Sequence, residues 1–310
     1  MQRKEKMEYP TPKASINILP VELLTEIFKQ SRNEFATSLF TDTPWNLALV
    51  CRKWREIAFA TPDLWTSIII RDSQFPPHIL TSGLPHVFTD YINNLLGATV
   101  PLAKNKRLSI KFHIEFALGE SCVLQMLQTL ITGTKPQNWT SLDFQFCRSS
   151  DSSSIFTFPW PCRPGAMSNL ERMTLSGPMN AKSIHDFFTV IGSLPQLHTL
   201  HLGSYPYSHN HGIPDEVLQR LTTFTIKGSS IPVHITQSPF PLISQMHRLE
   251  YLSLPFAATI WQTPVLTTLH HLHTIKVYAW PIEFNDLTFP SLRHVHIDII
   301  NITTPNIPGS

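Results

Sequence analysis

The sequence predicts an α/β chain: a short helical module at the N-terminus, then an irregular array of strand-and-return repeats whose strands form one parallel sheet. Three observations carry this expectation. Apolar residues recur at helical spacing in two stretches between residues 18 and 60. A pattern of apolar-x-x-apolar-x-apolar recurs seven times from Trp139 onward. Composition agrees, with 42% hydrophobic and 15% charged residues. A charged fraction so far below the usual ~25% excludes long solvated helices and acidic tails. At 310 residues the chain has room for about two domains.

Residues 1–14 are polar, lack the apolar run of a signal peptide and read as a disordered tail. Leu19-Pro20 then places a proline at the first turn of a helix, where its missing N–H and fixed φ cost nothing. Leu23, Leu24, Ile27 and Phe28 form one apolar stripe, with Glu22, Thr25, Glu26 and Lys29 around it. After a linker from Gln30 to Pro44, in which Phe35, Leu39 and Phe40 indicate an extra turn, the spacing returns. Leu47, Val50, Cys51, Trp54, Ile57 and Ala58 describe a second amphipathic helix, with Arg52, Lys53, Arg55 and Glu56 on its other face. Thr61-Pro62 ends it, because a residue before proline is pushed out of the helical region. Asp63-Leu64-Trp65 follows, and the β-branched run Ser67–Ile70 reads as a buried strand.

A Leu-Pro start, a Glu-Leu-Leu helix, a Val-Cys-Arg-x-Trp helix and a nearby Leu-Trp stand here in that order. This combination, over residues 15–70, resembles the F-box, the helical module that plugs a substrate receptor into a cullin-RING ubiquitin ligase. Thr-Pro-Asp-Leu-Trp running straight into a strand is similar to the F-box-like modules of mushroom-forming fungi. The linker between the helices is longer than the family's usual one. The resemblance implies contacts with the ligase adaptor protein, and through it cullin, at Leu19, Pro20, Leu23, Ile27, Leu47, Val50, Cys51 and Trp54. Some of these side chains are expected to serve the module's own small core instead.

Residues 71–100 read as a connector, 101–304 as the repeat domain and 305–310 as a tail. The repeat cores begin at Trp139, Leu170, Leu197, Leu221, Leu249, Leu272 and Leu292, at intervals of 20 to 31 residues. Leucine-rich repeats have periods of about 20–29 residues, so the array reads as an irregular leucine-rich-repeat solenoid with a parallel concave sheet. The longest interval holds a Ser- and Pro-rich insertion, Arg148 to Gly165. Leu108–Ile114 reads as one more strand. Cys122–Ile131 and Ile184–Ile191 are the clearest helices between cores. The asparagine or cysteine that ordinarily follows each core by three residues occurs once, as Cys147, which marks the array as divergent and closer to F-box proteins with leucine-rich repeats. The last strand, near Val295–Ile300, precedes only ten residues, too few for a helical cap. Its edge is expected to lie open or under the folded-back tail.

The remaining chemistry is mostly exclusion. A net charge of +2 makes no electrostatic case for nucleic acid or an anionic membrane surface. No run reaches the ~18–20 apolar residues that span a bilayer. Cys51, Cys122, Cys147 and Cys162 lack paired spacing and read as reduced, buried thiols, not a disulfide set or zinc site. The sequons at Asn138 and Asn301 are read as chance. No GxGxxG, P-loop, GxSxG or HExxH is present, so the chain is expected not to be an enzyme and to need no cofactor. Among fifteen histidines, His294-x-His296, His209-x-His211 and His270-His271-x-His273 invite a metal reading. Zinc needs three or four converging ligands, and no second cluster is evident, so no metal is expected.

The expectation is a binding protein of the cytoplasm or nucleus: a substrate-recognition subunit whose F-box docks the adaptor while the repeats hold an unidentified protein target. The alternative is an F-box scaffold or assembly factor acting outside a ubiquitin ligase. In each core the leucines point inward, so the third and fifth positions face out. Those columns contain Ser141 and Asp143, Arg172 and Thr174, Thr199 and His201, Thr223 and Thr225, Tyr251 and Ser253, Thr274 and Lys276, and His294 and His296. Lys227, Tyr278 and Asp298 extend them by one step. Tyrosine and cationic side chains dominate interface energetics, which selects Arg172, Tyr251, Lys276 and Tyr278 as the target-binding set. The competing location is the loops near Trp160 or Tyr205–His211.

Overall fold

Contacts along the chain fall into two units, Met1–Trp65 and Thr66–Ser310. The computed structural model describes residues 16–31, 43–71, 75, 85–114, 120–146, 165–177, 181–203, 213–226, 243–254, 267–277 and 287–297. Phe35, Leu39, Phe40, Cys147, Trp160, Cys162, Tyr205–His211, Lys227, Tyr278, Asp298 and the tail lie outside the described residues.

The first unit holds three helices: α1 (Val21–Gln30), α2 (Thr43–Val50) and α3 (Arg52–Ala60), with tight turns at Ile16–Ile18 and Pro62–Trp65. Pro20 is the residue before α1 (φ −53°, ψ 152°), so the helix starts just after the proline. The single helix expected over Leu47–Ala58 is two. Cys51 is extended between them, with φ −158° and ψ 171°. Arg55 makes the break tolerable: its Nε donates to the Ala48 carbonyl at 2.9 Å, satisfying an orphan acceptor at the end of α2. Its own N–H donates to Cys51 O at 3.0 Å and opens α3. The apolar three-and-four spacing runs through the break, which is why the sequence reads as continuous.

Aromatic packing closes this unit. Phe28, fully buried, lies 4.9 Å centroid to centroid from Trp54. Trp65 sits edge-on to Trp45 at 4.8 Å and 5.7 Å from Phe59. The Trp65 indole N–H donates to Ala58 O at 2.9 Å, so its one polar atom is satisfied where it is buried. Lys53 Nζ donates to Leu19 O at 3.2 Å and ties α3 to the segment before α1.

In the second unit, nine strands lie in one sheet in chain order, each pair parallel: β1 (Ser67–Arg71), β2 (Leu108–Ile114), β3 (Trp139–Phe146), β4 (Arg172–Ser176), β5 (Thr199–Leu202), β6 (Thr223–Ile226), β7 (Tyr251–Leu254), β9 (Thr274–Val277) and β11 (His294–Ile297). Two short strands, β8 (Thr267–Thr268) and β10 (Leu287–Thr288), pair separately. All seven expected cores are strands of the large sheet. Strand β1 pairs with β2, so it belongs to the sheet by hydrogen bonding.

Register follows the leucine spacing. Ile68, Ile110, Leu142, Met173, Leu200, Phe224, Leu252, Ile275 and Val295 form one cross-sheet row. All but the last are buried. A second regularity was not visible in the core pattern. The N–H of each first leucine from Leu170 to Leu292 donates three residues back, to Met167, Leu194, Leu218, Met246, Leu269 and Phe289. The carbonyl of an apolar residue thus closes a turn just before each of these six strands.

Helices occupy several returns: α4 (Pro85–Thr99), α5 (Glu120–Thr134), α6 (Ala181–Gly192) and the single turn α7 (Asp215–Leu218). The segment 71–100, read as a connector, therefore carries a fifteen-residue helix. Its buried residues Phe88, Ile92, Leu95 and Leu96 have helical spacing, but Asn93, Asn94 and Gly97 lower its propensity and hid it. Helices α4 and α5 pack closely enough that a Cβ on Gly133 would come within 2.6 Å of Leu96 Cδ1. After β4, Gly177 has φ 138°, and a Cβ there would meet the Phe146 carbonyl at 2.7 Å. No described helix is long and apolar enough to cross a membrane.

Candidate functional site

Two surfaces carry the expected binding residues. On the helical unit, the single stripe expected on α1 divides. Leu24 and Phe28 point into the core, whereas Pro20, Leu23 and Ile27 lie outside, with Leu23 53% and Ile27 41% exposed. Positions 20, 23 and 27 are spaced by three and four, so they share one face of the helix. Val50 is exposed, while Leu19, Leu47, Cys51 and Trp54 are half-buried. Trp54 packs on Phe28, and its indole N–H is buried without a hydrogen-bond partner.

Sequence spacing missed Ile18, Val21 and Leu49, which are exposed beside the expected set. Of the ten exposed large apolar side chains among the described residues, eight lie between Ile16 and Phe59. Exposed apolar residues scattered singly need no explanation, but such a concentration in one small unit marks a surface that expects a partner. Charge frames it lightly. Arg52 pairs with Glu56 at 2.9 Å, and Lys29 with Glu26 at 2.8 Å, all exposed. The Glu26 hydrogen bond holds the Lys29 ammonium above its ordinary value.

On the sheet, the expected outward columns are register partners. Ser141, Arg172, Thr199, Thr223, Tyr251, Thr274 and His294 form one row. Asp143, Thr174, His201, Thr225, Ser253, Lys276 and His296 form the next. They are not uniformly open. Thr199 in the first row and Thr225 and Ser253 in the second are buried, the last at 1% exposure, so positions expected to face out are covered on the middle strands. Arg172 is exposed, and Tyr251 and Lys276 are half-buried. Tyr251 and Lys276 are diagonal neighbours on adjacent strands, whereas Arg172 stands three strands from Tyr251, roughly 14 Å at the usual interstrand spacing. The fourth expected residue, Tyr278, lies outside the described residues.

Strands β1 and β2 add groups that the repeat columns left out. Arg71, His113 and Gln145 are register partners, and Lys111 stands beside Asp143. His113 Nε2 lies 3.4 Å from Asp143 Oδ2, both largely buried, and Gln145 Nε2 donates to both Asp143 oxygens at 3.2 Å. The signal was available: Leu108–Ile114 alternates apolar and polar as the later strands do. Among the described residues, the outward strand positions thus hold four fixed cations, Arg71, Lys111, Arg172 and Lys276, against one carboxylate, Asp143. His294 and His296 have stacked rings 6.4 Å apart, and no group of three or more potential metal ligands occurs among the described residues. Farther along, burial lowers the Arg220 guanidinium from its ordinary value, opposed by Glu216. Arg220 Nη2 caps the Ile191 carbonyl of α6 at 3.3 Å, which is a structural role.

Comparison with known families places an F-box-like domain at residues 16–71. The match covers the helical unit and strand β1, and so includes every exposed apolar residue described on α1 and α2. A comparison with curated proteins found none that matches this chain. The chain carries an F-box-like domain followed by a nine-stranded parallel sheet with helices, an α/β arrangement.

Proposed function

We propose that this chain is the substrate-recognition subunit of an SCF-type cullin-RING ubiquitin ligase: the F-box-like domain docks the adaptor, and the sheet unit captures the protein to be ubiquitinated. The observation that carries the reading is coincidence. The residues matched as F-box-like are the same ones that leave Ile18, Val21, Leu23, Ile27, Leu49 and Val50 exposed. Cullin joins through the adaptor, and the chain itself performs no catalysis. It accelerates transfer by holding a target lysine near a ubiquitin-loaded enzyme, converting an encounter between molecules into a step within one assembly. The cytoplasm or nucleus is the compartment this role requires.

The sheet unit is read as a divergent leucine-rich-repeat solenoid, a reading supported by sequential parallel strands and the turn that recurs before each core. Its concave face would be the outward rows, with Arg172, Tyr251, Lys276 and Tyr278 as target contacts. The excess of fixed cations on those rows favours an acidic target surface. The alternative, a scaffold or assembly factor outside any ligase, shares the adaptor surface but not cullin recruitment.

Co-purification distinguishes these readings. Wild-type chain should recover adaptor and cullin together, while Leu19→Ala with Pro20→Ala loses both and retains the target. Adaptor recovered without cullin would favour the scaffold. Unchanged adaptor recovery by the double variant would overturn both.

A further inference from the structure

The three most exposed large apolar side chains among the described residues are Ile18, Leu49 and Val50, at 78%, 69% and 59%. A side chain so open touches little of the protein, so its place is set by the backbone that carries it. Two side chains of α3 tie that backbone down. Lys53 Nζ donates to the carbonyl of Leu19, next to Ile18, and Arg55 Nε donates to the carbonyl of Ala48, next to Leu49. Both are carbonyls that helix formation leaves over. The first helical bond of α1 runs from Leu24 N–H to Pro20 O, one residue past Leu19. Ala48 stands in the last turn of α2, where carbonyls lack a donor within the helix.

The location of these cations argues that they have a use. Arg52, Lys53 and Arg55 stand within the first four residues of α3, whose first turn holds no acidic residue. The positive end of the helix macrodipole disfavours cations there. Arg52 is offset by Glu56 at 2.9 Å. Arg55 reaches Ala48 O at 2.9 Å, at the negative end of α2. Lys53 reaches back 34 residues to Leu19 O at 3.2 Å. A charged donor makes a stronger hydrogen bond than a neutral one. Spacing along α3 assigns these side chains to a solvated face; their contacts give them a second task.

We propose that Lys53 and Arg55 are positioning residues for adaptor docking, which fix Ile18 on one side and Leu49 and Val50 on the other before the partner arrives. The inference rests on the reading of this surface as the adaptor site. Each displayed segment lies at a helix end, the part that frays first. Pro20 is extended, with ψ 152°, so Ile18 and Leu19 have no helical ladder of their own. Val50 is followed by the extended Cys51, so α2 stops where its most open side chains stand. One cation pins each of these ends. An apolar residue that is already in place loses little freedom on binding, whereas a loose one must be ordered as binding occurs.

The test is a pair of double-mutant cycles, read by calorimetry of the full chain against purified adaptor. Lys53→Met and Arg55→Met keep an unbranched stem and remove the donor; each should weaken binding about fivefold or more. Lys53→Arg and Arg55→Lys keep a charged donor and should stay within about twofold of wild type. With Ile18→Ala already in place, Lys53→Met should cost less than about twofold, because a positioning residue then has nothing left to position. Arg55→Met should behave the same way on Leu49→Ala with Val50→Ala. Thermal melts of the methionine variants should stay within about 2 °C of wild type. Unchanged affinity of the methionine variants would make the two bonds incidental. The same loss in both backgrounds would make the cations direct adaptor contacts, and a melt lowered by several degrees would make them supports of the fold. Each of these results overturns the inference and leaves the adaptor reading standing. A wild-type chain that binds no adaptor overturns both.

Discussion

The helical unit and the sheet unit treat apolar surface in opposite ways. The sheet unit hides its inner columns almost completely: from Ile68 to Val277 the residues of the central register rows are buried. The helical unit buries Leu24, Phe28, Ile57, Leu64 and Trp65, yet leaves eight large apolar side chains open. Size explains part of this, since a short chain has little interior. It does not explain the segregation on α1, where buried Leu24 and Phe28 alternate with exposed Leu23 and Ile27. A surface helix that needed no partner would carry polar residues at 23 and 27. The difference separates apolar residues that fold the chain from apolar residues that folding leaves exposed.

The largest effect that can test this contrast is in the sheet. Phe224→Ala removes a fully buried ring from the middle of the central row and should cost about 3–5 kcal/mol, with Leu200→Ala or Leu252→Ala at about 2–5 kcal/mol. Denaturant melts should show the whole sheet unit weakened, because each strand buries its core only against its neighbours. A loss below 1 kcal/mol at Phe224 would mean that the row is loosely packed.

Next in size is the converse on α1. Leu23→Ser with Ile27→Ser should leave stability within roughly 0.5 kcal/mol, as substitutions at open surface do. Adaptor affinity should fall by about 2 kcal/mol or more, the loss typical of hot-spot residues at an interface. Calorimetry against purified adaptor checks the second number and a thermal melt the first. If the melt drops sharply while affinity holds, these residues serve the fold and the contrast fails.

These experiments also probe what the sequence disclosed. Strand order, phase and register were legible because a period-two pattern repeated seven times allows one inward set, and Leu200 and Leu252 could be assigned without coordinates. Helix α4 was not, because Asn93, Asn94 and Gly97 look like loop residues until Phe88, Ile92 and Leu96 find α5 to pack on. The break at Cys51 was hidden by apolar spacing that runs through it, and only the Arg55–Ala48 bond shows why it holds. Burial of Thr199, Thr225 and Ser253 depends on what lies over the sheet, which alternation along one strand does not encode. On α1, spacing gathered Leu23, Leu24, Ile27 and Phe28 into one stripe; which half faces outward is decided by Trp54 and its neighbours.

A smaller effect is expected of exposed charge. Arg52 and Glu56 meet at 2.9 Å on α3, both well exposed. Neutralising the pair with Arg52→Gln and Glu56→Gln should change stability by no more than about 0.5 kcal/mol. It isolates the apolar surface as what distinguishes the helical unit. A shift of 2 kcal/mol in a denaturant melt would show that charge, too, holds these helices.

The smallest effect is expected at the last strand, where the sheet unit comes to resemble the helical one. Val295 and Ile297 continue the inward columns of Ile275 and Val277, yet they are 53% and 41% exposed. With no described strand beyond β11 to cover them, they contribute little to burial, and Val295→Lys with Ile297→Lys should shift the melt by less than roughly 0.5 kcal/mol. The same change one strand earlier, Ile275→Lys, places a charge in a buried row and should cost several kcal/mol. The ratio of the two costs measures how abruptly the core ends. Comparable, large losses at β9 and β11 would mean that the terminal strand is covered in solution, and the open edge would then have to be withdrawn.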